Sequence, residues 1–127
     1  GAKELLLALE KAGVPTAVVS TKHTGTLRDI FVGHGLAEKF AFIVGGDLVS
    51  RNKPDPEGLN TVLGKLGVAP GDVLYCGDTV IDAKTAAAAG TDFCAVLNGT
   101  TPAEDFQDLP HVHIAPDLND LRAFLGL

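Results

Sequence analysis

Runs of positive charge are missing from this sequence of 127 residues, in which ten Lys and Arg face sixteen Asp and Glu for a formal charge of −6. Without a cationic stripe there is little to neutralise a phosphate backbone or an anionic lipid surface, so nucleic-acid and membrane-surface binding are set aside. Long apolar runs are missing too. Stretches such as Leu5-Leu6-Leu7-Ala8-Leu9 fall far short of the roughly 20 residues a bilayer span requires. The first dozen residues lack the basic start and the apolar stretch of roughly 7–15 residues that mark a secretory signal, which points to a cytoplasmic protein. Cysteine is scarce. Cys76 and Cys94 make no disulfide framework, and neither Cys-x-x-Cys nor a Cys/His zinc spacing occurs. Both lie in apolar segments and are expected to be buried free thiols in a reducing compartment. Linkers, low-complexity stretches and solenoid repeats are also absent, so residues 1–127 are expected to form a single domain.

What is present is apolar and periodic: 46% hydrophobic and 20% charged residues exclude a disordered chain. Residues 3–12 place leucines at helical spacing, and Gly13 with Pro15 ends the run. Residues 16–20 and 40–45 read as buried strands, with a helix over 26–34 between them. A polar loop over 46–56 leads into a helix over 57–66, with Pro56 near its first turn and Gly67 behind its last. The pattern repeats as a strand over 73–77, an alanine-rich helix over 81–89 closed by Gly90, and a strand over 93–97. A short fifth strand over 112–114 and a final helix capped by Asp117 complete the series. Apolar strands separated by helices predict a doubly wound α/β layer around a parallel sheet.

In an open parallel sheet, ligands bind beyond the carboxyl ends of the strands. The residues there are Ser20 and Thr21 after the first strand, Lys53 in the loop after the second, and Asp78, Thr79 and Asp82 after the third. Each has an ordinary use. Ser20 or Thr21 could cap a helix, Lys53 could be a solvated loop charge, and Asp78 could cap the helix beginning near Ile81. Together, a hydroxyl, an ammonium and two carboxylates at one sheet edge suit a phosphate with a hard cation.

The order of these groups resembles that of the haloacid dehalogenase-like (HAD) superfamily, in particular its phosphoglycolate phosphatase-like branch. The resemblance rests on Val18-Val19-Ser20-Thr21-Lys22, then Lys53-Pro54-Asp55-Pro56, then Tyr75-Cys76-Gly77-Asp78-Thr79-Val80-Ile81-Asp82 followed by residues 86–90. It extends from the leucine-rich helix to the closing helix. It implies a three-layer Rossmann-like core in which Ser20 matches the hydroxyl of the second family motif, Lys53 the lysine of the third, and Asp78 and Asp82 the acids of the fourth. By that resemblance Ser20, Thr21 and Lys53 bind the phosphate of a small phosphorylated metabolite, and Asp78, with help from Asp82, binds Mg²⁺.

The family's first motif, Asp-x-Asp after an N-terminal strand, supplies a nucleophile and a general acid/base. No two aspartates stand two apart anywhere in this sequence. The expectation is therefore a partial catalytic core, lacking the nucleophile strand and the helical cap, from a magnesium-dependent phosphomonoester hydrolase, and inactive alone. A degenerate, non-catalytic binding or assembly module is one alternative. A dehalogenase or phosphomutase of the same family is another. Because the family places the missing strand between those ending at Ser20 and Gly77, the sheet is expected to carry an open slot. A missing N-terminal segment or a strand swapped between copies would fill it.

Overall fold

Helix and strand alternate as predicted in the computed structural model, which describes residues 1–127. The order is α1 (Ala2–Lys11), β1 (Ala17–Val19), α2 (Thr24–Gly33), β2 (Phe42–Val44), α3 (Glu57–Leu66), β3 (Leu74–Gly77), α4 (Val80–Ala89), β4 (Asp92–Val96), β5 (His113–Ala115) and α5 (Leu118–Phe124). Short 3₁₀ turns sit in four of the connections, including Gly46–Leu48 after β2. The helix over 57–66 appears at its predicted bounds. Gly67 and Gly90 close α3 and α4 in the left-handed conformation, at φ of 66° and 81°. Asp117 caps α5, its side chain accepting from the Asp120 N–H at 2.8 Å. The second helix begins two residues earlier than expected. Its cap is His23, whose Nδ1 accepts from the Gly25 N–H at 3.0 Å. Histidine is an uncommon cap, and nothing in the sequence marks it as one.

The strands are parallel throughout, in two groups. β1 pairs with β2, setting Ala17, Val18 and Val19 opposite Phe42, Ile43 and Val44. β3, β4 and β5 form the second group, with β4 central. Alternate residues of β4 feed opposite layers. Cys94 and Val96 pack with Leu5 of α1, Ala115 of β5 and Leu121 of α5. Phe93 and Ala95 pack with Ala83 and Ala86 of α4 and with Phe106. Helix α3 lies against β1, β2 and α4, so the α3–α4 layer runs under both groups.

No ladder joins β1 to β3. Each strand has one paired and one free edge, and the Tyr75 hydroxyl of β3 donates to the Val19 carbonyl of β1 at 3.4 Å. The sheet is thus divided where the slot was expected.

The cysteines differ from expectation. Cys94 is buried, but Cys76 is exposed. Cys76 belongs to β3, an edge strand with a neighbour on one side only, whereas Cys94, directly opposite it on β4, has strands on both sides.

Candidate active site

The carboxyl end of β1 delivers Ser20. Its N–H donates to the Val44 carbonyl at 3.0 Å, continuing the pairing with β2 by one residue. Its Oγ accepts the Lys22 N–H at 3.2 Å, which leaves the hydroxyl proton free to donate outward. The N–H of Thr21 makes no bond within the chain. Since His23 caps α2, neither Ser20 nor Thr21 is held in the capping role that their type suggests. Ser20 lines a small recess with Asn52, Lys53 and Gly58.

Lys53 comes from a loop folded on itself. The Glu57 carboxylate accepts from the N–H groups of Ser50 and Arg51, and the Asp55 carboxylate accepts from the Glu57 N–H. This turns the lysine inward. Its ammonium donates to Asp82 Oδ1 at 2.6 Å and to Tyr75 Oη at 3.3 Å. The side chains of Lys53 and Asp82 are 16% and 7% exposed, which excludes a solvated loop charge.

Asp82 is used on both oxygens. While Oδ1 takes Lys53, Oδ2 accepts from Thr79 Oγ1 at 3.0 Å and from the N–H groups of Asp78 and Thr79 at 3.2 and 3.3 Å. The Thr79 hydroxyl accepts in return from the Asp82 N–H, completing a capping box on α4. Thr79 therefore holds the cap considered for Asp78. Gly77 is required by this packing, because a Cβ there would stand 2.4 Å from Asp82 Cβ and 2.5 Å from Oδ2. The carboxylate of Asp78, freed from capping, accepts no hydrogen bond from the protein and lies against the Gly99 backbone.

Burial pulls the Lys53 pKa down, but its bond to Asp82 and the nearby Tyr75 and Asp82 charges outweigh that, leaving it above the ordinary 10.5. Burial acts in the opposite sense on the Tyr75 phenol, raising it above its ordinary value. A lysine that holds its proton more tightly when folded contributes stability fully below its unfolded value and loses it as pH rises through the folded value. Urea midpoints should therefore show this contribution intact at neutral pH and falling above pH 10.5. In a Lys53→Met variant the alkaline fall should shrink; an unchanged fall would show that Lys53 does not carry it.

The residues 1–96 match the family model described as haloacid dehalogenase-like hydrolase. The chain belongs to that family. It is 35% identical over 126 residues to a phosphoglycolate phosphatase of Rhodospirillum rubrum, covering 99% of this chain and 52% of the relative. It is 40% identical over 105 residues to an N-acetylmuramic acid 6-phosphate phosphatase of Pseudomonas aeruginosa, covering 83% and 46%. A crystal structure described as a haloacid dehalogenase-like hydrolase from Bacteroides fragilis superposes with a TM-score of 0.90 at 39% identity, over 93% of this chain and 56% of that one. The chain spans about half the length of the relatives it matches.

Within this haloacid dehalogenase-like core, Lys53, Asp82 and the amides of Asp78 and Thr79 form one hydrogen-bonded group, and Ser20 joins Lys53 through the recess. Tyr75 was not among the residues singled out by spacing. Its hydroxyl ties together Lys53, Asp82 and Val19. The signal was a lone tyrosine in an apolar strand, since a half-buried phenol needs a polar partner. Magnesium fits the chemistry of the free Asp78 carboxylate. No three His, Cys, Asp or Glu side chains converge around it, so Asp78 is the one carboxylate of this group left open to such an ion.

Proposed function

We propose that the parent protein hydrolyses small phosphomonoesters with magnesium, and that this chain supplies its phosphate-binding and charge-balancing half. The observation that carries this reading is the half-buried Lys53 ammonium, fixed at 2.6 Å from Asp82 in a recess that Ser20 also lines. Such a cation can neutralise a phosphoryl group as its charge is redistributed. The Ser20 hydroxyl and the Thr21 N–H would donate to phosphoryl oxygens. Asp82 would orient Lys53 and act on the metal only through water or through that lysine. Asp78 would provide one metal ligand, and the ion when bound would offset phosphoryl charge.

The nucleophile is assigned to a strand outside these residues, seated between β1 and β3. Two free strand edges bridged by one tyrosine hydroxyl support that placement. An upstream segment of the same parent would occupy that place, since the chain spans about half the length of its relatives. A non-catalytic module is the second reading, favoured by the absence of any Asp-x-Asp in these residues.

The parent reading frame, assayed on small phosphomonoesters, should show magnesium-dependent turnover that falls about 100- to 1000-fold on Asp78→Asn, the scale expected for removing a main electrostatic element. Activity that survived Asp78→Asn at unchanged magnesium would remove the assignment. No turnover in the intact parent on any phosphomonoester would favour the module.

A further inference from the structure

Asp47 lies in the 3₁₀ turn after β2 and is not among the residues that spacing points to. Its Oδ1 accepts two bonds from Thr24, from the N–H at 2.6 Å and from Oγ1 at 2.8 Å. The Thr24 hydroxyl accepts in turn from the Gly45 N–H at 3.0 Å. On the other side, Asp47 Oδ2 faces His23 Nε2 at 3.6 Å. Since His23 Nδ1 accepts the Gly25 N–H, the neutral ring carries its proton on Nε2, directed at Asp47.

The backbones of the two loops also meet. The Gly46 N–H donates to the Lys22 carbonyl at 2.8 Å. A Cβ on Gly45 would stand 2.4 Å from Lys22 O and Thr24 N, and one on Gly46 would stand 2.5 Å from Thr21 O. The glycine pair allows this approach, and the Asp47 carboxylate fastens it. Bonding to the Thr24 N–H holds that carboxyl below its ordinary range, so it is ionised at neutral pH. Asp47 belongs to neither hydrophobic cluster. Its partners, His23 and Thr24, are the cap and first residue of α2, where the stretch that leaves Ser20 ends.

We infer that Asp47 is a positioning residue for phosphoryl recognition: it touches no substrate, and it sets the shape of the Ser20–Thr24 loop that presents the Ser20 hydroxyl and the Thr21 N–H. The inference rests on the phosphatase reading of the same sheet edge. It adds a residue that acts only through Thr24 and His23.

The test is a titration of the ¹⁵N-labelled 127-residue chain with inorganic phosphate, read at the amides of Ser20, Thr21 and Lys22. Asp47→Ala should weaken phosphate binding by about tenfold or more, the scale of a lost hydrogen bond to a charged group. Asp47→Asn keeps an oxygen able to accept from Thr24 and should stay within about threefold of the unaltered chain. Equal binding by the unaltered chain and a folded Asp47→Ala would overturn the positioning role alone. If Asp47→Ala unfolds, Thr24→Val decides: weakened binding by the folded variant supports the role, and unchanged binding overturns it. No saturable shift in the unaltered chain would overturn the phosphoryl reading itself, and the positioning role with it.

Discussion

Replacing Asp82 with alanine should destabilise the fold by about 2–4 kcal/mol, toward the loss seen when one member of a buried ion pair is removed, since Asp82 is buried and Lys53 half-buried. The effect is large because one carboxylate has several dependants. Lys53 would be left as an uncompensated ammonium with a side chain only 16% exposed. The Thr79 hydroxyl and the N–H groups of Asp78 and Thr79 would lose their acceptor at the start of α4. Asp82→Asn keeps an oxygen for the helix start and removes the charge, so its loss should be smaller, about 1–3 kcal/mol. Urea unfolding at neutral pH measures both variants. A loss below about 1 kcal/mol for Asp82→Ala would mean that the Lys53 ammonium is solvated and the pair is a surface one.

The second large effect is catalytic. The chain alone should not turn over p-nitrophenyl phosphate, although it carries Ser20, Lys53 and Asp78. Ser20 has no base in hydrogen-bond contact, since its Oγ meets only the Lys22 N–H. Lys53 holds its proton above the ordinary range and cannot act as that base at neutral pH. Charge stabilisation without a covalent acceptor leaves out the step that a carboxylate nucleophile would supply. Relative to the parent, turnover should be lower by at least about a millionfold, toward the uncatalysed rate. Hydrolysis by the highly purified chain, abolished by Asp78→Ala, would place a nucleophile within these residues and overturn the expectation.

The strands and helices were legible because parallel strands covered by helices read as unbroken apolar runs and glycines stand where helices close, as Gly67 and Gly90 do. Yet β1 and β3, expected to be buried, have a free edge and no buried residue. Ser20, Lys53, Asp78 and Asp82 were legible as residues of one sheet edge, because strand ends fix the edge without any contact being known. What each carboxylate does was less legible. Spacing treats Asp78 and Asp82 as a pair, whereas packing gives Asp82 to Lys53 and the helix cap and leaves Asp78 free. That division depends on the Gly77 backbone lying against the Asp82 side chain, a three-dimensional contact. Asp47 and Tyr75 escaped for the same reason, since Thr24 lies 23 residues from Asp47, and Lys53 and Val19 lie 22 and 56 residues from Tyr75. The exposure of Cys76 follows from the position of β3 at an edge, which its apolar neighbours in sequence do not reveal.

The divided sheet offers the most direct test of the account. Amide hydrogen exchange should be followed at residues 17–19 and 74–77 of the labelled chain, before and after adding the segment of the parent reading frame that lies upstream of Gly1. Edge amides without partners exchange readily, and pairing with an inserted strand protects them. Protection should rise on β1 and β3 together, while β4, already paired on both sides, changes little. Hydrolysis of p-nitrophenyl phosphate should appear in the same mixture. Unchanged exchange at both edges, or a direct β1–β3 ladder in the chain alone, would contradict the claim that this half-core is completed by a strand seated between them.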